Sequence, residues 1–359
     1  MVCAGHICLD MTPVFPTEDG RKPEELLLPG KLVRMDGVDV HTGGSVANTG
    51  LAMAFFGADT ALLGKIGNDA FGKLILEILS QHGCGDEGML VAEDAVTSYS
   101  VVLALPGQDR MFLHAPGAND TFSSSDVNFD VVSEASLFHF GYPPLMREMY
   151  RNGGAELVEL FRRVKALGVA TSLDMAAVDP TSEAGAVDWR EILKKLLPYV
   201  DFFLPSAEEL CFMLDRPRWE EWMQRTAGDV TGTLDIEQDV KPLARELLDM
   251  GCRVVVIKCG AKGLYYQTAS DMEGIKTMRC EDWAQREGFQ SAFPPEKICS
   301  ATGAGDTCIA AFLAAMLEGR GVEDCVRLAA AAGASCVEAY DALSGLKPLA
   351  VLEEKLAEG

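Results

Sequence analysis

Between residues 137 and 258 the sequence repeats a pattern that few folds can satisfy. Four short apolar runs, "ASLFHFGY", "GVATSLDM", "VDFFLPS" and "RVVVIKCG", each finish at or beside a Gly, Asp or Ser. Helical stretches separate them: 152–167, 188–198, a start at "AEELCFML", and 238–251. Runs this apolar suit strands covered on both faces, and helices between strands return the chain in parallel. The pattern predicts a mostly parallel α/β sheet, whose ligand-binding residues gather at the carboxyl ends of the strands.

The flanking regions obey the rhythm less well. "MVCAGHICLDM" reads as a buried strand that leaves Asp10 at the rim of the sheet, and 12–30 reads as a loop. "KLVRMDGVDVHTGG" alternates partially about Asp36 and Gly37, a hairpin-like signal. "SVANTGLAMAFFGA" is a helix stopped at Gly57, and "DTALLGKIGNDAFGKLILEILSQHG" is strand, loop, helix. "TSYSVVLALPGQDRMFLHAPGAND" predicts two strands about a turn at 106–109. These early strands imply a small accessory sheet from 11–42 and 95–117, attached to a main unit of 1–10, 43–94 and 118–359. Residues 216–240 and 270–297 read as insertions or long connections.

Charge and cysteine usage narrow the partners. A formal charge of −23 argues against a nucleic-acid or anionic membrane surface, since both reward basic patches. An anionic small ligand stays open, because a helix terminus or a metal ion can supply local positive field. The 11 cysteines lack the short paired spacings of zinc sites, and several lie in apolar runs as small hydrophobes. Their odd number, with no signal peptide and no apolar run of spanning length, points to a reducing cytoplasm.

Chemistry concentrates in a few short stretches. Thr302, Gly303, Ala304, Gly305 and Asp306 immediately precede the apolar helix "TCIAAFLAAMLEG". Gly303 and Gly305 would let backbone N–H groups converge at a helix N-terminus, where the dipole favours phosphate oxygens. Asp306 would serve as a base there, or simply as a helix cap. Neither a Walker loop nor a dinucleotide fingerprint is present. Gly43 and Gly44 open a second helix, with Asn48 one turn in offering both donor and acceptor to a hydroxyl-rich ligand. Taken alone, helix packing with a Ser45 cap accounts for that stretch better. "IKCGAKG" ends a strand in a Gly-rich bend. In "LPSAEEL", Glu208 and Glu209 would complement a helix dipole or orient water around Mg²⁺.

Taken in order, Asp10, "GGSVANTGLAMAFFGADTALLGKIGNDAFG", the Glu pair, the Gly-rich bend and "TGAGDTCIAAFLAAM" resemble the ribokinase-like, PfkB-type carbohydrate kinases. The likeness runs from Asp10 to about Ser335. It implies a ribokinase-like three-layer α/β/α fold, with a mainly parallel central sheet and a small β-sheet lid. It further implies ATP-dependent phosphorylation of a sugar hydroxyl, with Asp306 as general base and Gly303, Ala304 and Gly305 as the anion hole. By the same resemblance Asp10, Gly43, Gly44 and Asn48 would hold the sugar, with Arg110, His114 and Asn119 from or near the lid. Lys258, Gly260, Gly263, Thr302 and Ser335 would line the nucleotide site, and Glu209 would organise Mg²⁺. Ser300 and Ala301 depart from the family's usual aspartate, which puts activation by K⁺ in doubt. Ser206 stands where the family has Asn, and Lys258 where a small hydroxyl residue is common. A nucleoside kinase, with Tyr142 facing the base, and a catalytically silent sugar- or nucleotide-binding regulator are the alternative functions. Lid-to-lid homodimers occur among such kinases, and the apolar lid strands suit one here.

Overall fold

The computed structural model describes residues 1–16, 28–105, 110–226, 230–275 and 280–358, so the expected turn at 106–109 lies outside the described residues. The strands are Val2–Gly5 (β1), Cys8–Val14 (β2), Gly37–Gly43 (β3), Ala61–Gly67 (β4), Met89–Ala92 (β5), Tyr99–Leu103 (β6) and Met111–Ala115 (β7). They continue as Leu137–Gly141 (β8), Ala170–Asp174 (β9), Phe202–Phe203 (β10), Val254–Lys258 (β11), Gly263–Thr268 (β12) and Glu287–Ser291 (β13). The first helices are Ser45–Phe55 (α1), Ala70–Gln81 (α2), Phe129–Ser133 (α3), Arg147–Ala166 (α4), Trp189–Leu196 (α5) and Ala207–Leu214 (α6). Arg216–Thr226 (α7), Lys241–Asp249 (α8), Ala304–Leu317 (α9), Val322–Cys336 (α10) and Leu349–Glu358 (α11) complete them.

Nine strands form the central sheet in the order β13-β12-β11-β10-β9-β8-β1-β4-β5. Every pair from β11 to β5 is parallel, while β12 and β13 add an antiparallel edge. Period-two alternation divides the strand side chains between two cores. Phe138, Phe140, Phe203, Val255 and Ile257 face the layer of α4, α5 and α8, among Phe161, Trp189 and Leu247. Leu137, Phe202, Val254 and Val256 face α9 and α10, among Phe312 and Ala329. The result is the expected three-layer α/β/α sandwich with a mainly parallel sheet.

A second sheet, ordered β3-β2-β6-β7, stands apart from the first. The chain enters it directly from β1, because the opening run is two strands broken at His6 and Ile7 rather than one. Asn119 holds the break: its Nδ2 donates to the Ile7 carbonyl at 2.8 Å and its Oδ1 accepts from the Ile7 N–H at 3.3 Å. Asp10 therefore lies inside β2, opposite His41 on β3 and Ser100 on β6, instead of closing a central strand. Alternation about Asp36 and Gly37 gives a strand on one side only. The partner of β3 is β2, reached by Val14 pairing with Gly37. The 270–297 connection contains β13, and β12 precedes it. The expected helix at 152–167 begins earlier, at Arg147, with non-helical backbone at residues 151–154.

Candidate active site

The carboxyl ends of the parallel strands converge on the N-terminus of α9. Tyr142 follows β8, Asp174 ends β9, Ser206 and Glu209 follow β10, and Lys258 ends β11. α9 faces them because its small-residue run, Ala310, Ala311, Ala314 and Ala315, is buried between the sheet and α10. Gly303 is its N-cap, at φ 76°, and a Cβ there would stand 2.2 Å from that of Ala342. Only glycine permits both the left-handed turn and that approach. First-turn amides have no intrahelical acceptor, although the Ala304 N–H leans on the Ala301 carbonyl at 3.3 Å.

Asp306, in that first turn, is 4 % exposed and accepts from three side chains. Asn48 Nδ2 reaches Oδ2 at 3.2 Å, and Thr49 Oγ1 reaches Oδ1 at 3.0 Å. The Tyr142 hydroxyl donates across both oxygens, at 2.8 and 2.7 Å. Burial, then the Asp306 and Asp174 carboxylates, hold the Tyr142 phenol well above its usual range, so it remains a donor. α1 packs on α9, which is how the Gly-Gly helix and the "TGAGD" turn come to share one carboxylate.

Lys258 donates to Asp174 Oδ1 at 2.7 Å, with side chains 13 % and 2 % exposed. A Cβ on Gly305 would lie 3.5 Å from Lys258 Nζ, so the ammonium sits beside the first turn of α9 rather than reaching outward. Burial opposes its charge, but Asp174, Glu209 and Asp306 outweigh burial and keep it protonated. Asp174 is pushed up to about 8, chiefly by burial, with Lys258 offsetting part of the rise. Ser206 and Glu209 form a capping box: Glu209 Oε2 accepts from the Ser206 N–H at 2.7 Å, and Ser206 Oγ from the Glu209 N–H at 3.2 Å.

Across the lid junction, Asp10 Oδ1 accepts from Cys8 Sγ at 3.3 Å and its carboxylate lies against the Gly43 backbone. A side chain at Gly43 would collide with it. Burial raises the Asp10 carboxyl above its ordinary range, with Cys8 and Ser100 opposing. His114 Nδ1 pairs with Ser100 Oγ at 3.1 Å, and its Nε2 meets His6 Nε2 at 3.3 Å. The His6 ring centroid lies 6.1 Å from that of Tyr142, completing a polar arc from Asp10 to Asp306. Gly44 caps α1 beside His6.

Other expected residues stand at the edge of this group. Arg110 donates to Thr302 Oγ1 and to the Tyr340 carbonyl by the glycine turn, and its charge also acts on the Asp10 carboxylate. The Asn119 amide is committed to Ile7, and the Ser335 hydroxyl to the Gly345 carbonyl. Gly260 and Gly263 bound the bend between β11 and β12. Ser300 Oγ accepts from the Thr302 N–H at 3.0 Å. Thr49 and His6 carried no sequence signal of their own, and Asp174 only that of a strand-end acid: they matter because distant segments meet. Among the described residues no three His, Cys, Asp or Glu side chains converge as a metal cluster. With Asp174 paired to Lys258 and one Glu209 oxygen in a cap, the donors cannot cage a divalent ion. They fit Mg²⁺ held mainly by phosphate and water, as that ion is commonly bound beside phosphates.

The family "pfkB family carbohydrate kinase" matches residues 2–348, and the chain belongs to it. It is a sugar kinase of ribokinase-like fold. A ribokinase from Arabidopsis thaliana is 28 % identical over 329 residues, covering 90 % of this chain and 74 % of that protein. Fructokinase-2 from Oryza sativa subsp. japonica is 24 % identical, covering 88 % and 85 %. The solved Arabidopsis thaliana ribokinase complexed with ribose and ATP superposes with a TM-score of 0.72 at 23 % identity, over 99 % of this chain and 97 % of that one. A fructokinase from Xylella fastidiosa with bound ATP gives 0.71 at 19 % identity, over 100 % and 98 %. No helix among the described residues is long and apolar enough to cross a membrane.

Proposed function

We propose that this chain transfers the γ-phosphoryl group of ATP to a hydroxyl of a sugar or related polyol. The observation that carries the reading is the Asn48 and Thr49 pair on Asp306, which joins the sugar-site helix to the glycine turn at one carboxylate. Asp306 takes the proton of the acceptor hydroxyl as its oxygen bonds to the γ-phosphorus, while the bond to the β-phosphate oxygen breaks and ADP leaves. The first-turn amides at Gly303, Ala304 and Gly305, with the Lys258 ammonium beside them, supply positive field for charge on the moving phosphoryl. Asp10, the backbone at Gly43 and Gly44, and Asn48 hold the remaining hydroxyls, with His114 and His6 above them. Arg110, standing at Thr302, serves the phosphate side. Mg²⁺, held through Glu209 and water, would neutralise phosphate charge. Tyr142, the residue that would have faced a nucleobase, is turned onto Asp306, so a sugar is favoured over a nucleoside.

A panel of sugars and nucleosides with Mg-ATP tests this reading, using Asp306→Asn as the blank. Turnover of one acceptor is expected, falling at least about a hundredfold in the variant while ATP affinity holds, as loss of a positioned base commonly costs. Tight ligand binding with no phosphorylation of any acceptor would instead mark a silent regulator.

A further inference from the structure

The Tyr142 hydroxyl sits almost equidistant from the two Asp306 oxygens, 2.8 and 2.7 Å away. That places it on the plane midway between the two oxygens, bridging both. Asn48 and Thr49 each approach one oxygen only. A substrate hydroxyl surrendering its proton to Asp306 must come within roughly 2.6–3.2 Å of the carboxylate. The phenol oxygen already holds such a position.

The backbone at Tyr142 shows that this placement is built. Its φ of 68° and ψ of 43° lie in the left-handed region, which a bulky residue rarely enters. The turn is held by the Leu145 N–H on the Tyr142 carbonyl at 3.0 Å, by the Tyr142 N–H on the Asp174 carbonyl at 3.4 Å, and by Pro143 and Pro144. Strain of this sort persists only where the surroundings over-determine it, and it clusters at working sites.

We propose that Tyr142 is a tethered stand-in for the acceptor hydroxyl, a positioning residue that withholds Asp306 from water until the acceptor arrives. The proposal rests on the kinase reading above. Any kinase with a competent base and a bound γ-phosphate risks wasting ATP: water attacks phosphorus, the base takes its proton, and ADP and phosphate leave. A lone water must displace the phenol unaided. A sugar brings further hydroxyls to Asp10, Gly43 and Asn48, and that binding energy offsets the displacement. Discrimination against water thus arises before closure of the site and without a further charged group.

ATP hydrolysis without acceptor, and phosphoryl transfer with acceptor, would be measured for the wild type, Tyr142→Phe, and Tyr142→Phe combined with Asp306→Asn. The phenyl ring keeps the shape, and continued transfer to acceptor reports that the variant folds. Losing one charge-assisted hydrogen bond predicts a ratio of hydrolysis to transfer raised roughly tenfold in Tyr142→Phe. The added Asp306→Asn should return hydrolysis to background. A purely structural tyrosine would lower both rates together, and an unchanged ratio overturns the proposal. Raised hydrolysis that survives Asp306→Asn also overturns it. A wild type that phosphorylates no acceptor removes the kinase reading itself, and this proposal with it.

Discussion

His139 lies wholly buried in β8, the strand that leads to Tyr142, with Nε2 on Ser45 Oγ at 3.3 Å and Nδ1 on Ser172 Oγ at 3.0 Å. Burial, and secondarily the Lys258 charge, depress it from 6.5 to about 3. Between those values the unfolded chain binds a proton that the folded ring refuses. Stability therefore falls as pH falls through that window, by about 1.4 kcal/mol per pH unit from this group. Asp174 works in the opposite sense. Burial raises its carboxyl against the pull of Lys258, so its contribution falls as pH rises. The clean quantity is thus the difference in unfolding free energy between wild type and His139→Gln, followed by denaturant titration. That difference should decline steadily below pH 6.5, and a flat difference from pH 7 to 4.5 would refute the account. The residues legible in the sequence were those whose chemistry is announced by neighbours a few positions away, such as Gly303, Asp306 and Asn48. Thr49 was not, and Tyr142 was read only as facing a nucleobase, because they act on a carboxylate 257 and 164 positions distant. Lys258 and Asp174 were each legible as a charge at a strand end, but not as a pair, because 84 positions separate them.

At the scale of elements, the repeating strand-helix units from β8 to β11 were readable because parallel strands are apolar on both faces and need helices between them. The antiparallel edge of β12 and β13 escaped, since β13 is a short edge strand that alternates exposed and half-buried residues and carries no fully buried one. The break between β1 and β2 escaped too. It is held by Asn119, over a hundred positions away, with Gly5 at φ 125° as its one local mark. α9 is the element on which the site depends most. Its N-terminal turn must hold Gly303 at φ 76° against Ala342. Gly303→Ala should cost about 1–3 kcal/mol in stability through left-handed strain and the clash. Turnover should fall further than stability alone explains, because Ala304, Gly305 and Asp306 move with the turn. Thermal denaturation and kcat, measured on one preparation, would check this. A stable variant with undiminished kcat would show that the turn's geometry is not what matters.

For the whole molecule, the lid leaves an apolar surface that the described residues do not cover. Met111, Phe112 and Leu113 on β7 are 42, 52 and 58 % exposed in succession, and Val38 on β3 is 56 % exposed. Three consecutive exposed apolar residues on an edge strand invite pairing, unless a partner of matching shape covers them. We propose a second copy of this chain in that place, lid against lid, as a closed two-fold dimer. The net charge of −23 adds a condition. Two copies repel at long range, and salt screens that repulsion while leaving apolar burial intact. Dimerisation should therefore strengthen as salt rises from about 0.01 to 0.15 M, where the screening length shortens from about 30 to 8 Å. An interface held by ion pairs would show the reverse trend. Light scattering across that range should find two chains per particle, and Phe112→Asp should yield monomers. Because β7 also carries His114 onto His6, loss of the dimer should raise the acceptor KM more than it lowers kcat. A particle of one chain at every salt and protein concentration would leave the exposed strand without this partner.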